Sequence, residues 1–202
     1  MTEMMNQVLL LNGGKAFCGS GGKLSALLQS VAKEELLQLG KSVVETHIDN
    51  GYDLNEEVEK IMSSDALIWQ MPAWWMGCPW IVKKYIDEVF MASNGQFLTG
   101  DGRHRTDPEH GYGTGGLLKD KKYMFSVTWN APLTAFTDKN EFFGGVGVDG
   151  VYLPLHKAMQ FIGMQALPTF MCNDVIKNPQ IEQYVSDYRQ HIRQVFNITA
   201  CV

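Results

Sequence analysis

Several things are missing from this chain, and each absence removes a class of function. No stretch of its 202 residues stays apolar long enough to cross a bilayer, since the longest apolar run, residues 66–82, is interrupted by Gln70, Pro72, Gly77 and Pro79. The segment Met1 to Gln7 is polar, with no basic region, apolar stretch or small-residue cleavage site, so a soluble, cytoplasmic protein is expected. Basic runs are absent too. Net charge is −5, and Lys83-Lys84 and Lys121-Lys122 read as solvated element ends, which argues against nucleic acid as a partner. Cys18, Cys78, Cys172 and Cys201 are scattered, with no CxxC and no histidine at zinc-ligand spacing, so reduced thiols and no metal site are expected. There is no GxSxG elbow and no Ser-His-Asp order, which disfavours hydrolase chemistry. Gly111 to Gly116 spells GxGxxG, yet no strand leads in and no helix opens after it, so it is rejected as a dinucleotide fingerprint.

What is present suits one α/β domain spanning residues 1–202. Hydrophobic content of 45% and aromatic content of 11% are enough for an ordinary core. Val8 to Leu11 is a short continuous apolar run, the pattern of a strand buried on both faces. Leu24, Leu27, Leu28, Val31, Ala32, Leu36 and Leu39 recur at helical spacing, and Gly40 ends that helix. A strand over Val43 to Ile48, a helix over Asn55 to Met62 and a strand from Ala66 follow. A helix then opens with Pro79 in its first turn and runs to Phe90. Tyr123 to Thr128 is the fourth strand, Val151 to Ile162 a helix, and Ala166 to Met171 the fifth strand. The last helix is capped by Asn178 with Pro179 at its first position. This alternation predicts a doubly wound parallel sheet of five strands in the flavodoxin-like order 2-1-3-4-5, with helices on both faces.

Four of the five tryptophans lie within the twelve residues Trp69 to Trp80 (WQMPAWWMGCPW). The run opens as a buried strand and is stopped by Pro72, so Trp74, Trp75 and Met76 fall on a loop at a strand's carboxyl end. Ligands bind there in open parallel sheets, and flat side chains suit a flat ligand. The plainer alternative is a hydrophobic hinge or subunit interface. Two long glycine-rich connections, residues 92–121 and 129–148, flank the fourth strand, and loops of this length are usually functional or disordered. Thr128, Trp129, Asn130 and Ala131 begin the second, where Thr128 and Asn130 can bond a heterocycle's edge and Trp129 can cover its face. Tyr112 sits mid-way along the first, able to fold over a ligand. The loop Asn12 to Lys23 joins the first strand to the first helix; its glycines admit an oxyanion to the helix N-terminus, with Ser20, Lys23 and Ser25 as donors. His156, near the start of a helix beside this region, is a candidate proton donor against a surface or capping role. Taken together these groups describe a cleft for a planar ligand carrying phosphate, and a flavin meets that description.

Trp69 to Trp80, Thr128 to Pro132 (TWNAP) and Val148 to Lys157 (VDGVYLPLHK) closely resemble the modulator of drug activity B family of NADPH:quinone reductases, among the flavodoxin-like quinone reductases. The likeness runs from Val8 to about Phe196. It implies a homodimer that binds FAD, with its active site at the subunit interface. FAD phosphates and adenosine would lie along Ser20, Gly21, Gly22, Lys23, Leu24, Ser25, Ala26 and Leu27. The flavin ring would rest on Ala73, Trp74, Trp75 and Met76, with Thr128, Trp129, Asn130 and Ala131 on its other side and Tyr112 over it. Trp69 and Trp80 would pack behind that wall. The FMN flavodoxins carry a threonine-rich phosphate loop, whereas this chain has no threonine between Val8 and Val31, which agrees with FAD. The activity implied is ping-pong hydride transfer, NADPH to flavin and flavin to a quinone. Reduction of azo or nitroaromatic compounds, and a non-catalytic electron carrier, are the alternatives.

Overall fold

In the computed structural model, which describes residues 5–196, β1 (Gln7–Asn12), β2 (Ser42–His47), β3 (Ala66–Pro72) and β4 (Lys122–Thr128) form a parallel sheet in the order β2-β1-β3-β4. Beyond β4 the fifth position is shared by β5 (Gln165–Ala166) and β6 (Phe170–Cys172), both parallel to it. The predicted order 2-1-3-4-5 therefore holds, but the predicted continuous fifth strand does not. Ala166 faces Tyr123 and Phe170 faces Ser126, so Leu167, Pro168 and Thr169 stand opposite only Met124 and Phe125. Proline has no N–H for the ladder, and the extra residue breaks the pairing as a bulge does.

The helices are α1 (Lys23–Gln38), α2 (Leu54–Ser63), α3 (Trp80–Ala92), α4 (Thr134–Thr137), α5 (Gly147–Val151), α6 (Leu153–Phe161) and α7 (Ile181–Phe196). Successive strand residues point to opposite faces, so each central strand feeds two cores. Leu9, Leu11, Leu67, Trp69, Tyr123 and Phe125 meet residues of α2, α3 and α6 on one face. Val8, Leu10, Ile68 and Met124 meet α1 and α7 on the other. This is why Val8 to Leu11 of β1 and Ala66 to Trp69 of β3 read as unbroken apolar runs.

Helix ends follow local chemistry. Gly40 takes φ 72°; its N–H bonds the Leu37 carbonyl while Lys41 N–H bonds that of Leu36, the Schellman closure of α1. Asp53 caps α2 by accepting from Asn55 and Glu56 N–H at 2.9 and 3.1 Å. Pro79 is the residue before α3 rather than inside its first turn, and α7 begins at Ile181, after the Asn178-Pro179 pair expected to open it. Lys121 is not a solvated end: it is buried, and its ammonium donates to the Met62 and Ser64 carbonyls at 2.7 Å each, closing the far end of α2.

The first long connection lies at the amino edge of the sheet. Leu118 N–H bonds the Ile162 carbonyl just before β5, and Leu117 N–H bonds that of Phe97. Its glycines serve backbone crossing, since a Cβ on Gly116 would stand 2.3 Å from Gly163 N and one on Gly115 2.1 Å from the Gly100 carbonyl oxygen. That close approach explains the isolated GxGxxG.

A buried carboxylate ties α1 to α7. Glu35, 1% exposed, accepts from Arg189 Nη1 at 2.5 Å and Arg193 Nε at 2.6 Å, and these guanidinium groups, Arg193 foremost, hold its carboxyl below the usual value of 4.5 despite burial. Replacing Glu35 by Gln is expected to cost about 2 kcal/mol at pH 7 in urea unfolding, less than a wholly buried pair because both arginines reach solvent. A depressed carboxyl contributes stability above its unfolded pKa and loses it as pH falls toward its folded one. The deficit of the Gln variant should thus be constant near neutrality and shrink below pH 4.5.

Candidate active site

Parallel register sets the carboxyl ends of β1, β3 and β4 side by side. Asn12 pairs with Gln70 and Pro72 with Thr128. Gly13 N–H reaches the Gln70 carbonyl at 2.8 Å, Ala73 N–H that of Thr128 at 2.9 Å and Trp129 N–H that of Cys172 at 2.8 Å, so the first residues of three connections are bonded to neighbouring strands.

The first connection leaves β1 close to α3: a Cβ on Gly13 would come within 2.3 Å of Val82. Asn12 Oδ1 accepts from Gly14 N–H at 2.8 Å. The chain then makes a two-residue turn in which Phe17 and Ser20 exchange both backbone bonds, with Cys18 and Gly19 at φ 46° and 85°. Gly22, at φ 64°, leads into α1, whose first turn has no side-chain cap and no acidic residue. Its leading N–H groups therefore lack intrahelical partners at the positive end of a 16-residue helix. Ser25 is buried beneath them; Gly21, Lys23, Ala26 and Leu27 are exposed, and Leu24 is half-buried.

The tryptophan connection makes a matching turn. Trp74 and Gly77 exchange backbone bonds at 2.9 and 3.2 Å, and Trp75 and Met76 occupy the left-handed region at φ 46° and 65°. Such turns favour Asn-Gly, so two bulky residues here store backbone strain. Trp75 is 97% exposed. Phe17 leans on Trp74 with ring centroids 5.9 Å apart, joining the two turns. Trp69 is buried as predicted, but Trp80 is not packing: it is 56% exposed, with the Lys15 ammonium 5.4 Å above its ring and paired to Asp49.

The third connection corrects the role predicted for Trp129. Its ring is 5% exposed and rests against Phe136 at 5.2 Å, Phe143 at 5.5 Å and Tyr152 at 6.2 Å, so it cannot lie over a ligand's face. Thr128 is buried and Ala131 half-buried; Asn130 is exposed, but its Oδ1 accepts from Ile176 and Lys177 N–H at 3.2 and 3.3 Å. His156 does not reach the cleft either. It is 7% exposed, with Nδ1 2.8 Å from the Tyr123 hydroxyl and Nε2 3.2 Å from Asp149 Oδ1, which leaves no free nitrogen for a substrate. Tyr112 is 70% exposed and 5.4 Å from Phe161, at the amino edge of the sheet, opposite the Trp74 turn. Within one chain it does not cover the cleft.

Burial pushes the Cys78 thiol up from its ordinary value, and Cys172 is raised by burial to about 12, so neither is a nucleophile near neutrality. Cys201 lies outside the described residues. Among those described, no group of three or more His, Cys, Asp or Glu side chains converges to hold a metal ion, and no helix is long and apolar enough to cross a membrane. Sequence reasoning missed Phe17, Lys15 and Asp49. A lone aromatic within a glycine-rich loop was the available signal for Phe17.

A doubly wound sheet with a phosphate-type helix N-terminus and an aromatic turn at one edge is the architecture of flavodoxin-like proteins. The chain belongs to that family: the flavodoxin-like fold model matches residues 7–194. It is 56% identical over 189 residues to the NADPH:quinone oxidoreductase MdaB of Haemophilus influenzae, covering 94% of this chain and 98% of the relative. Among solved structures it is similar to a Klebsiella pneumoniae protein assigned to the quinone reductases, with TM-score 0.74 at 20% identity, over 96% of this chain and 84% of that one. A general stress protein 14 of Treponema denticola, solved in complex with FMN, matches with TM-score 0.61 at 18% identity, over 95% and 99%. At those identities the two structures speak to the fold.

If the Trp75-Met76 strain is retained for the cleft rather than for folding, relieving it should stabilise the protein. Met76→Gly is expected to gain about 1 kcal/mol and raise the melting temperature by about 2–4 °C in calorimetry. An unchanged or lower melting temperature would show that the turn carries no strain worth relieving.

Proposed function

We propose that the chain is an NADPH:quinone oxidoreductase that works with FAD as a homodimer. One observation carries the reading: the uncapped amino end of α1 stands at the same sheet edge as an aromatic turn whose tip, Trp75, is 97% exposed. The first suits a phosphate and the second a planar ring, and a flavin nucleotide joins the two. The 56% identity to the Haemophilus MdaB supports the quinone reductase reading.

When bound, the flavin supplies two-electron chemistry between a nicotinamide and a quinone. The chain's own groups bind, orient and exclude water. Gly21 and Gly22 let backbone approach the phosphates, the α1 N–H groups with Ser20, Lys23 and Ser25 hold them, and Leu24, Ala26 and Leu27 lie along the adenosine. Ala73, Trp74, Trp75 and Met76 form the wall under the ring. Trp74 N–H is used within its own turn, while those of Trp75 and Met76 have no acceptor among the described residues and would stabilise negative charge at the ring's edge. Thr128 to Ala131 contribute through backbone and the exposed Asn130 rather than through the buried Trp129 ring. Tyr112 stands at the wrong edge to cover its own cleft, so it covers that of a second copy. Exposed Leu133, Phe142 and Val146 on the second loop suit burial against such a copy.

Purified protein should be yellow, release FAD on denaturation, and oxidise NADPH with menadione as acceptor. Released FMN would overturn the FAD assignment. Turnover confined to azo or nitroaromatic acceptors would overturn the quinone assignment, and inertness toward every acceptor would overturn the enzyme reading. Trp75→Ala should weaken flavin retention about tenfold, the effect of removing roughly 1.4 kcal/mol of ring contact. Full activity in a monomeric species at sedimentation equilibrium would rule out the role of Tyr112 across subunits.

A further inference from the structure

We propose that His156 is a positioning residue for the cleft: with Asp149 and Tyr123 it latches the returning limb of the second long loop onto the sheet. The role in turnover rests on the functional reading above; the latch itself does not.

The three groups come from three elements, Tyr123 from β4, Asp149 from α5 and His156 from α6. An ionised carboxylate can only accept, so the Nε2 facing Asp149 carries the proton, and in the neutral ring Nδ1 accepts from the Tyr123 hydroxyl. Both nitrogens are thereby satisfied inside the core, where the imidazole lies 4.6 Å from the Phe125 ring. The hydrogen bond from His156 holds the Asp149 carboxyl below its usual range, as ionisation in the bonded state requires.

What this bond holds has little else to hold it. α5 is five residues long, includes Gly147 and Gly150, has no side-chain cap and buries no residue. It follows Gly144 and Gly145, both in the left-handed region with Gly147. So short a helix does not persist without tertiary contacts. Val148 and Val151 lie partly buried against the core, and Asp149 makes the specific polar contact.

The latch shares its support with the cleft. Tyr152, the residue between α5 and α6 and one turn before His156, packs edge-on against Trp129, which also stands on Phe143 of the same loop. Trp129 follows Thr128, whose carbonyl holds Ala73 N–H at the start of the tryptophan turn. Loosening residues 144–151 therefore loosens one flank of the Trp129 cluster while leaving the sheet ladders intact.

Hydrogen exchange and steady-state kinetics of the holoprotein test this with Asp149→Ala, His156→Phe and His156→Gln. Amides in 144–151 should exchange about tenfold faster in the Ala and Phe variants, the change that one lost hydrogen bond makes in a local opening equilibrium, with β1 and β3 unchanged. His156→Gln should restore protection, because its amide supplies both a donor for Asp149 and an acceptor for Tyr123. For menadione, Asp149→Ala should raise KM several-fold with kcat nearly unchanged. Unaltered exchange in Asp149→Ala, or Gln exchanging as fast as Phe, overturns the latch. Faster exchange with KM unmoved overturns the positioning role. Failure of the unmodified protein to use menadione, with exchange still responding, counts against the reductase reading and in favour of the latch. Should His156→Phe fail to fold, Asp149→Ala carries the test, since that side chain is 63% exposed and its removal leaves the core filled.

Discussion

The parallel register of β1, β3 and β4 is the constraint on which the site depends. With strands about 4.8 Å apart, the three connections that leave their carboxyl ends begin within roughly 10 Å of one another. α1 and α3 then depart to opposite faces of the sheet, which opens a crevice between β1 and β3. Phe17 and Trp74 stand at the two sides of that crevice and touch across it. The site geometry is thus a consequence of backbone pairing, and the side chains decorate positions that hydrogen bonds have already set.

Much of this could be read from residues alone, and the parts that could not share physical causes. β1 and β3 were legible because strands buried on both faces are mostly apolar, with Asn12 and Gln70 coming only toward their carboxyl ends, and α1 because its leucines repeat and Gly40 ends it. The Trp74-Trp75 loop was legible because Pro72 stops a buried strand. The edge of the sheet at which Tyr112 lies was not legible, because the length of a connection does not reveal it; the Ile162–Leu118 bond, a long-range fact, decides that. Trp129 was misread although a parity argument existed: Tyr123, Phe125 and Val127 face one core, and the alternation continues through residue 129. Lys121 looked solvated because sequence does not show that the last carbonyls of α2 sit beside it.

The five tryptophans divide the work of one residue type. Trp69 and Trp129 are buried and leave their Nε1 groups without an acceptor among the described residues, a cost accepted for volume in the core. Trp74 is half-buried as a buttress, while Trp75 and Trp80 gain little from burial. A large ring held out by a strained backbone is unfavourable for folding alone, and such local conflict with stability is what functional positions show. Strain of this kind, about 1–3 kcal/mol for each such residue, is borne elsewhere, here by two apolar cores and the Glu35 cluster.

The interrupted fifth strand has a consequence for the molecule's behaviour among its own kind. An open sheet has two margins, and each unpaired row of N–H and C=O groups is a template for a strand of another molecule. One margin is split by Pro168, which offers no N–H, and the His191 ring stands 3.0 Å from the Pro168 carbonyl. Along β2, at the other margin, Glu45 is kept ionised by Lys33 and Gln29 against the pull of burial, so a charge sits where a foreign strand would dock. Self-association through edge pairing is thereby discouraged at both ends of the sheet, leaving loop surfaces, rather than backbone ladders, as the place where copies of the chain can recognise one another.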